Sequence, residues 1–385
     1  MKRSDYFFEL PESLIAQHPP PERGGSRLMV LDRGSGRRQG FMVRDLPSIL
    51  ERGTLMVFNN SRVRKARLLA RAKETGAAVE FLLLNKEEAP GAASGTLWKA
   101  MVKRSRRRRP GSRYVFADRG ADADRTADGA ADGTEAVIEA LSGEFCLLRF
   151  ERPIGDPWLD RWGHIPLPPY IKREDTEKDG RRYQTVYASS TGSAAAPTAG
   201  LHFTRELLDE LEKAGMETAF ITLHVGLGTF LPVRAENIED HVMHEESFSI
   251  DDETALKIEK AKKERRPILA VGTTSIRTLE SAWDPEGGRL RRGEGRTSIF
   301  IYPGYDFKTA DMLFTNFHTP ESTLLMLVAA FAEAKAGAFA EAKTGVFAPA
   351  RAGAPLGREL ILGSYREAIQ EGYRFFSYGD AMLIR

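Results

Sequence analysis

The chain has 385 residues, 42% of them hydrophobic and 29% charged, with a net charge of +2. That length carries two or three domains with ample apolar material for a core, and the composition excludes a disordered or fibrous chain. A single cysteine, Cys146, excludes an intrachain disulfide, a cysteine-based zinc cluster and the three-cysteine iron–sulfur site of radical chemistry.

Met1–Asp5 is charged and Glu9–Glu12 polar, so no apolar signal-peptide core follows the start. The longest apolar run, Leu324–Ala332, has nine residues, about half a membrane span. A cytosolic protein is expected. Residues 1–59 show one clear strand and are expected to pack on a later domain. Brief β-prone runs follow at Thr54–Phe58, Ala66–Ala70, Ala78–Leu84, Leu97–Val102, Tyr114–Ala117, Ala136–Ala140 and Phe145–Phe150, separated by Gly, Asp and Asn. No amphipathic helix lies between Val63 and Phe150, so this stretch predicts a small antiparallel sheet or barrel.

Charge is concentrated inside that stretch. Met101–Arg113 holds seven basic residues and no acid, which leaves the rest of the chain at −5. Charge runs are usually solvated faces, yet this one would hold a polyanion well, and RNA or DNA phosphate is the partner it fits. Lys103, Arg104, Arg106, Arg107, Arg108 and Arg109 form its core, and Arg62, Arg64, Lys65 and Arg67 would extend it. Residues 117–135, with six acids among Ala and Gly, lack side chains to bury and read as a solvated, disordered loop.

From Pro197 the period changes. Thr204 is placed to cap a helix over Arg205–Ala214 that Gly215 stops, and Thr218–Val225 reads as a buried strand. Asp251 or Asp252 caps a helix to about Glu264, Pro267 ends it, and Ile268–Val271 is a strand. Helix Ser275–Trp283, strands Thr297–Tyr302 and Leu313–Phe317, and helix Ser322–Phe331 complete the alternation. Such alternation predicts an α/β domain with a largely parallel sheet. Three tandem octads, Ala330–Gly337, Ala338–Gly345 and Val346–Gly353, fit no helical period and read as an expansion within a surface loop over 334–363.

Residues able to carry chemistry fall where strands end, the place where α/β sheets bind ligands. His202 (in PTAGLHFT), His224 (LHVGLGTF), His241 and His244 (HVMHEE) and His318 (TNFHTP) fit a shared cleft, and each equally suits a structural role. His241, His244 and Glu245 lack the spacing of a helical zinc motif and a third ligand, so no metal is expected. Acid–base work by His244 beside Glu245 is the stronger reading. Gly226, Gly228 and Thr229 let backbone N–H groups approach a ligand, or merely turn the chain. Thr273 and Thr274 open a helix whose N–H groups can hold an anion with help from Arg277, although capping by Thr274 explains them equally well. Phe376, Tyr378 and Asp380 lie in YRFFSYGDAMLI; aromatic rings suit a core, whereas Asp380 suits a nucleoside or a cation.

Taken in order, FELPESLIAQHP, PLPPYI, RYQTVYA, PTAGLHFT, HVGLGTF, HVMHEE, VGTTSIRTLES, PGYDF, TNFHTPESTLLMLV and YRFFSYGDAMLI closely resemble one family. It is the S-adenosylmethionine:tRNA ribosyltransferase-isomerase family of queuosine biosynthesis, and the likeness runs from about Ser4 to Ile384. The resemblance implies a monomer with a β-barrel domain, 61–150, inserted into a larger α/β domain, 1–60 and 151–385. It implies transfer and isomerisation of the ribosyl part of S-adenosylmethionine onto 7-aminomethyl-7-deazaguanine at the tRNA wobble position. Epoxyqueuosine forms, and adenine and methionine leave. S-adenosylmethionine is then a consumed co-substrate, and no other cofactor or metal is expected.

Set against that chemistry, His244 or His202 is the expected base, with Glu245 orienting His244, and Asp380 or His318 manages the adenine or the incoming amine. Phe376 and Tyr378 would face the sulfonium, and the Thr273–Thr274 helix start would hold the methionine carboxylate. The chain departs from the family pattern at Asn60-Ser61, where Asp-Thr is usual, at Lys65 for Pro, and at Thr319 and Glu321 for Leu and Lys. Competing readings are an S-adenosylmethionine-dependent tRNA methyltransferase, a non-catalytic RNA-binding module and a zinc hydrolase.

Overall fold

The structure, a computed structural model, describes residues 1–89, 93–103, 108–116, 133–143, 145–226, 232–333 and 357–385. Two compact units are present: Met1–Arg62 with Pro168–Arg173 and Arg181–Arg385, and Val63–Leu167 with Glu174–Gly180. No helix among the described residues is long and apolar enough to cross a membrane.

The larger unit is built on a nine-stranded sheet. Its order is Gly293–Thr297, Glu246–Ile250, Glu217–Leu223, Leu55–Asn59, Ile268–Val271, Met312–Asn316, Ala381–Ile384, Arg27–Leu31 and Arg38–Met42. Alternate side chains of Leu55–Asn59 enter two separate cores. Leu55 and Val57 join Ile221, Ala270 and Leu313 on one face, while Met56 and Phe58 join Leu269 and Phe314 on the other. A strand covered on both faces must be apolar throughout, which is why these runs do not alternate.

Four central strands, from Glu217–Leu223 to Met312–Asn316, run parallel. Outside that centre Arg27–Leu31 and Ala381–Ile384 pair parallel and the other pairings are antiparallel, so the sheet is mixed and not largely parallel. A short connection accounts for one of the antiparallel pairs. Parallel neighbours need a crossover of about a dozen residues or more, whereas Arg27–Leu31 and Arg38–Met42 are joined by a short loop. Residues 1–59 supply three strands instead of one. The predicted strand at Thr297–Tyr302 lies instead at Gly293–Thr297.

Helix boundaries follow the caps. Thr204 Oγ1 accepts from the Leu207 N–H at 3.1 Å to start Arg205–Lys213, and Asp251 Oδ1 accepts from the Thr254 N–H at 2.7 Å to start Asp252–Lys263. The loop expected over 334–363 ends earlier, because Gly357–Gln370 is a helix that buries Leu360, Ile361 and Leu362. Glycine at 357 is required there, since a Cβ would collide with the Ala329 carbonyl and the backbone of Glu333. The first octad begins within the helix Thr323–Glu333, and residues 334–356, with the rest of the octads, lie outside the described residues, as do 117–132.

The second unit is a closed antiparallel barrel in the order Phe145–Phe150, Leu97–Lys103, Ala78–Glu87, Arg67–Ala72, Arg113–Phe116 and Thr134–Ser142. Inward residues include Phe81, Trp98, Phe116, Ile138 and Leu148, alternating along the strands with more exposed ones such as Leu69, Glu80 and Arg149. The last strand begins within the predicted 117–135 loop, where Thr134 is buried and accepts a hydrogen bond from Arg152. The unit also runs past residue 150, because Ile154 and Leu159 pack into the barrel core. Cys146 lies in this core, and burial pushes its thiol up to about 11, which leaves it unreactive.

Phe81 is fully buried with its ring 4.8 Å from that of Tyr114 and 5.7 Å from that of Phe116. Phe81→Ala is expected to destabilise the barrel by about 3–5 kcal/mol in urea unfolding. A loss below about 1 kcal/mol would show that this ring is not part of a packed core.

Candidate active site

Where the parallel strands end, the larger unit encloses a cavity of about 480 Å³. Val225 follows Glu217–Leu223, Gly272 to Thr274 follow Ile268–Val271, and Thr315 to Leu324 begin at the end of Met312–Asn316. Ala195–Ala199, Pro169–Tyr170 and Phe376–Ser377 close the remaining walls. A volume of that size is typical of small-molecule sites, and so is its position at the carboxyl edge of a parallel sheet.

Asn316 organises the wall. Its Nδ2 donates to His202 Nε2 at 3.0 Å and to the Phe376 carbonyl at 3.2 Å. His202 Nε2 is therefore an acceptor, and its Nδ1–H donates to Ser26 Oγ at 2.9 Å. Burial first, then the charges of Arg374 and Arg23, push the His202 imidazole down to about 3, so it is neutral at ordinary pH. His318 lines the cavity, contacts Thr315 Oγ1 through Nε2 at 2.9 Å, and is likewise pushed down to about 3 by burial. Of the five histidines expected in a shared cleft, only His318 lines this wall, with His202 one side chain behind it.

Two buried oxygens on lining residues have no hydrogen-bond partner: Thr274 Oγ1 and Asn316 Oδ1. The helix that starts after Val271 is Thr273–Ala282, and its N-cap is Gly272 at φ +93°, so Thr274 does not cap it. Buried polar atoms are seldom left unpaired, and both of these belong to residues that line the cavity. Backbone strain marks the same place. Three non-glycine residues have positive φ among the described residues, and two of them, Phe376 at +71° and Glu321 at +56°, line the cavity. Tyr170 packs its ring 4.6 Å from that of Phe376, and its hydroxyl contacts Ser377 Oγ at 2.6 Å.

Other expected site residues lie elsewhere. Arg277 is buried and pairs with buried Glu246, whose Oε1 accepts from the Gly226 N–H at 3.0 Å. The pair ties the start of the GLG loop to the helix Thr273–Ala282, while Gly228 and Thr229 fall outside the described residues. Asp380 is also buried, and its carboxylate accepts from the backbone N–H groups of Arg27 at 2.9 Å and Arg374 at 2.8 Å. It fastens the C-terminal turn to the sheet. Tyr378 packs against Tyr183 and borders, with His202, a separate void of about 10 Å³, room for about one water. His244 is exposed, and Glu245 binds Arg296 at 2.8 Å instead of orienting it. Asn316, Tyr170, Glu246 and Arg3 were not singled out from sequence; Asn316 and Glu246 lie within quoted motifs beside the histidines that drew attention.

In the barrel unit, Arg64 binds Asp156 at 2.6 Å, and Arg67 binds Glu80 at 3.1 Å and Asp175 at 3.3 Å. Lys65 donates to the Asp160 carbonyl. These side chains are committed within the unit. Arg109 is exposed, and Arg108 donates to the Gly143 carbonyl at 2.7 Å. Arg62, in the larger unit, is exposed. Arg104, Arg106 and Arg107 and the side chain of Lys103 lie outside the described residues. Among the described residues no three His, Cys, Asp or Glu side chains converge to hold a metal ion.

The fold is that of an α/β unit with a cavity of small-molecule size at its strand ends, carried in one chain with a closed β-barrel. The chain belongs to the queuosine biosynthesis protein family, whose pattern it matches over residues 3–343 and 351–384. It is 50% identical to the S-adenosylmethionine:tRNA ribosyltransferase-isomerase of Treponema denticola across the whole of both chains. It is 45% identical to the protein of that name from Caldanaerobacter subterraneus, again over both full lengths. The crystal structure of the S-adenosylmethionine tRNA ribosyltransferase of Thermotoga maritima matches with a TM-score of 0.51 at 33% identity, covering 99% of this chain and 100% of that one.

Because His202 and His318 are held well below their usual 6.5, the unfolded chain takes up protons that the folded chain refuses. Their contribution to stability is fully present above about pH 6.5 and is lost as pH falls toward 3, at up to about 1.4 kcal/mol per pH unit for each. Urea midpoints at about pH 7.5 and pH 5 should show this drop, and His318→Gln should make it shallower. An unchanged slope in that variant would mean that the imidazole is not buried neutral.

Proposed function

We propose that this chain transfers and isomerises the ribosyl moiety of S-adenosylmethionine onto 7-aminomethyl-7-deazaguanine at the wobble position of tRNA. The products are epoxyqueuosine-tRNA, adenine and methionine. The observation that carries the reading to particular residues is the cavity itself, where His318, Thr273, Thr274 and Phe376 of three family motifs meet with unpaired oxygens and strained backbone.

The sulfonium acidifies the adjacent 5′ carbon, and removal of that proton gives an ylide. Ring opening expels adenine, the tRNA amine adds, and the ylide recloses the ring before methionine leaves. His318 is the group best situated to take the 5′ proton, because it lines the cavity and burial keeps it unprotonated at neutral pH. The same burial makes it a weak base, so it relies on position more than on basicity. His202 has both ring nitrogens engaged and orients Asn316. Phe376 and Tyr170 offer ring faces to the sulfonium, a contact of about 1–2 kcal/mol when desolvated. Thr274 Oγ1 and Asn316 Oδ1 can take hydrogen bonds from the adenosine hydroxyls or amine.

Exposed Arg62 and Arg109, with Arg108 and the basic stretch Lys103–Arg107, supply phosphate contacts for the tRNA. A cytoplasmic monomer that consumes S-adenosylmethionine and uses no metal fits this reading. A methyltransferase would share these ligands but would yield S-adenosylhomocysteine.

Labelled S-adenosylmethionine incubated with tRNA carrying 7-aminomethyl-7-deazaguanine should release adenine. His318→Ala should lower kcat by about 10²- to 10⁴-fold, and His244→Ala by only a few-fold. Equal adenine release with unmodified tRNA, or none, would overturn the function; a near-normal His318→Ala would overturn the base.

A further inference from the structure

The amino-acid end of S-adenosylmethionine carries two opposite charges close together, a carboxylate and an ammonium. A site that holds it needs a cation and an anion at matching separation. Among the described residues lining the cavity, Arg3 is the one arginine or lysine and Glu321 the one carboxylate. Arg3 Nε lies 3.6 Å from Glu321 Oε1, an ion pair beyond hydrogen-bond length. Arg3 Nη1 donates to the Val233 carbonyl at 2.8 Å, which fixes the guanidinium.

Backbone geometry holds the two groups together. The Glu321 N–H donates to the Tyr6 carbonyl at 3.1 Å, so the turn bearing Glu321 is bonded to the Arg3–Tyr6 turn. Glu321 sits at φ +56°, a strained conformation for a side chain of its size, and it lies three residues beyond His318 in the same wall. Both side chains are about one-third exposed, so a bound zwitterion would cover them and strengthen the pairing.

We propose that Arg3 binds the α-carboxylate, and Glu321 the α-ammonium, of the co-substrate's amino-acid end. The proposal rests on the reading that this cavity takes S-adenosylmethionine. It competes with the expectation that the Thr273–Thr274 helix start receives the carboxylate. A helix start offers about half a positive charge and no anion for the ammonium, whereas Arg3 and Glu321 offer a full charge of each sign. The helix start, with the unpaired Thr274 Oγ1, is left for the nucleoside. Glu321, which would repel tRNA phosphate, has a use here that does not involve the polyanion.

The test compares S-adenosylmethionine with its decarboxylated form, which keeps the sulfonium, adenosine and ammonium, by adenine release at saturating modified tRNA. Arg3→Gln is expected to raise the KM for S-adenosylmethionine about 10- to 100-fold and to leave that for the decarboxylated form within about threefold. Arg3→Lys should recover most of the difference. Glu321→Gln should raise the KM for both forms. Competition by 5′-methylthioadenosine, which lacks the amino-acid end, should be unchanged in each variant and reports an intact nucleoside site. Equal effects of Arg3→Gln on both forms, or undiminished preference for the carboxylate, would overturn the proposal. If the unaltered protein releases no adenine, the failure belongs to the functional reading and not to Arg3.

Discussion

One side-chain amide, that of Asn316, holds three separate stretches of chain in register around the cavity. Its strand lies in the parallel centre of the sheet and cannot shift without disturbing both cores. From that fixed point Nδ2 reaches His202, which in turn reaches Ser26, and also the carbonyl of Phe376. Each of these groups is buried, so losing the amide would strand an imidazole nitrogen and a carbonyl at about 1–3 kcal/mol apiece. Holding Phe376 by its carbonyl also explains how a bulky residue is kept at positive φ.

Desolvation then decides the chemistry available. The wall is mostly apolar, so its imidazoles are neutral, and the charged lining side chains form a facing pair, Arg3 and Glu321. Other charges near the strand ends are spent on the frame. Arg277 and Glu246 anchor the Gly226 turn, and Asp380 fixes two backbone N–H groups. A full charge inside the fold is tolerated because it is paired or hydrogen-bonded, which is why Arg277 and Asp380, both singled out from sequence, serve as fasteners.

The barrel was legible because its strands are short, alternate inward and outward residues, and contain no competing helix; all six runs between Ala66 and Phe150 became its staves. The helices were legible through Thr204, Gly215 and Asp251, whose side chains or φ angles do what their residue types suggest. Strand direction at the sheet edges was not, since it depends on connections that hydrophobic patterning does not record. Within the larger unit, motif order pointed to His318, Thr274 and Phe376, which line one cavity. It could not separate them from Asp380 or Arg277, because a buried carboxylate serving backbone N–H groups and one awaiting a ligand look alike in sequence. Arg3 was overlooked for the opposite reason: it sits among charged residues at the chain start, and only the fold brings it to Glu321. Likewise the arginines at 64 and 67 counted toward a phosphate patch until their carboxylate partners came into view.

The central claim is that the co-substrate occupies the cavity walled by Asn316, His318 and Phe376. Photo-crosslinking with radiolabelled S-adenosylmethionine in the presence of modified tRNA, followed by peptide mapping, tests it most directly. The label is expected in the peptides containing Thr315–Leu324 or Phe376–Ser377 and should be displaced by excess unlabelled co-substrate. Displaceable label confined to the barrel unit, Val63–Leu167, would contradict the account.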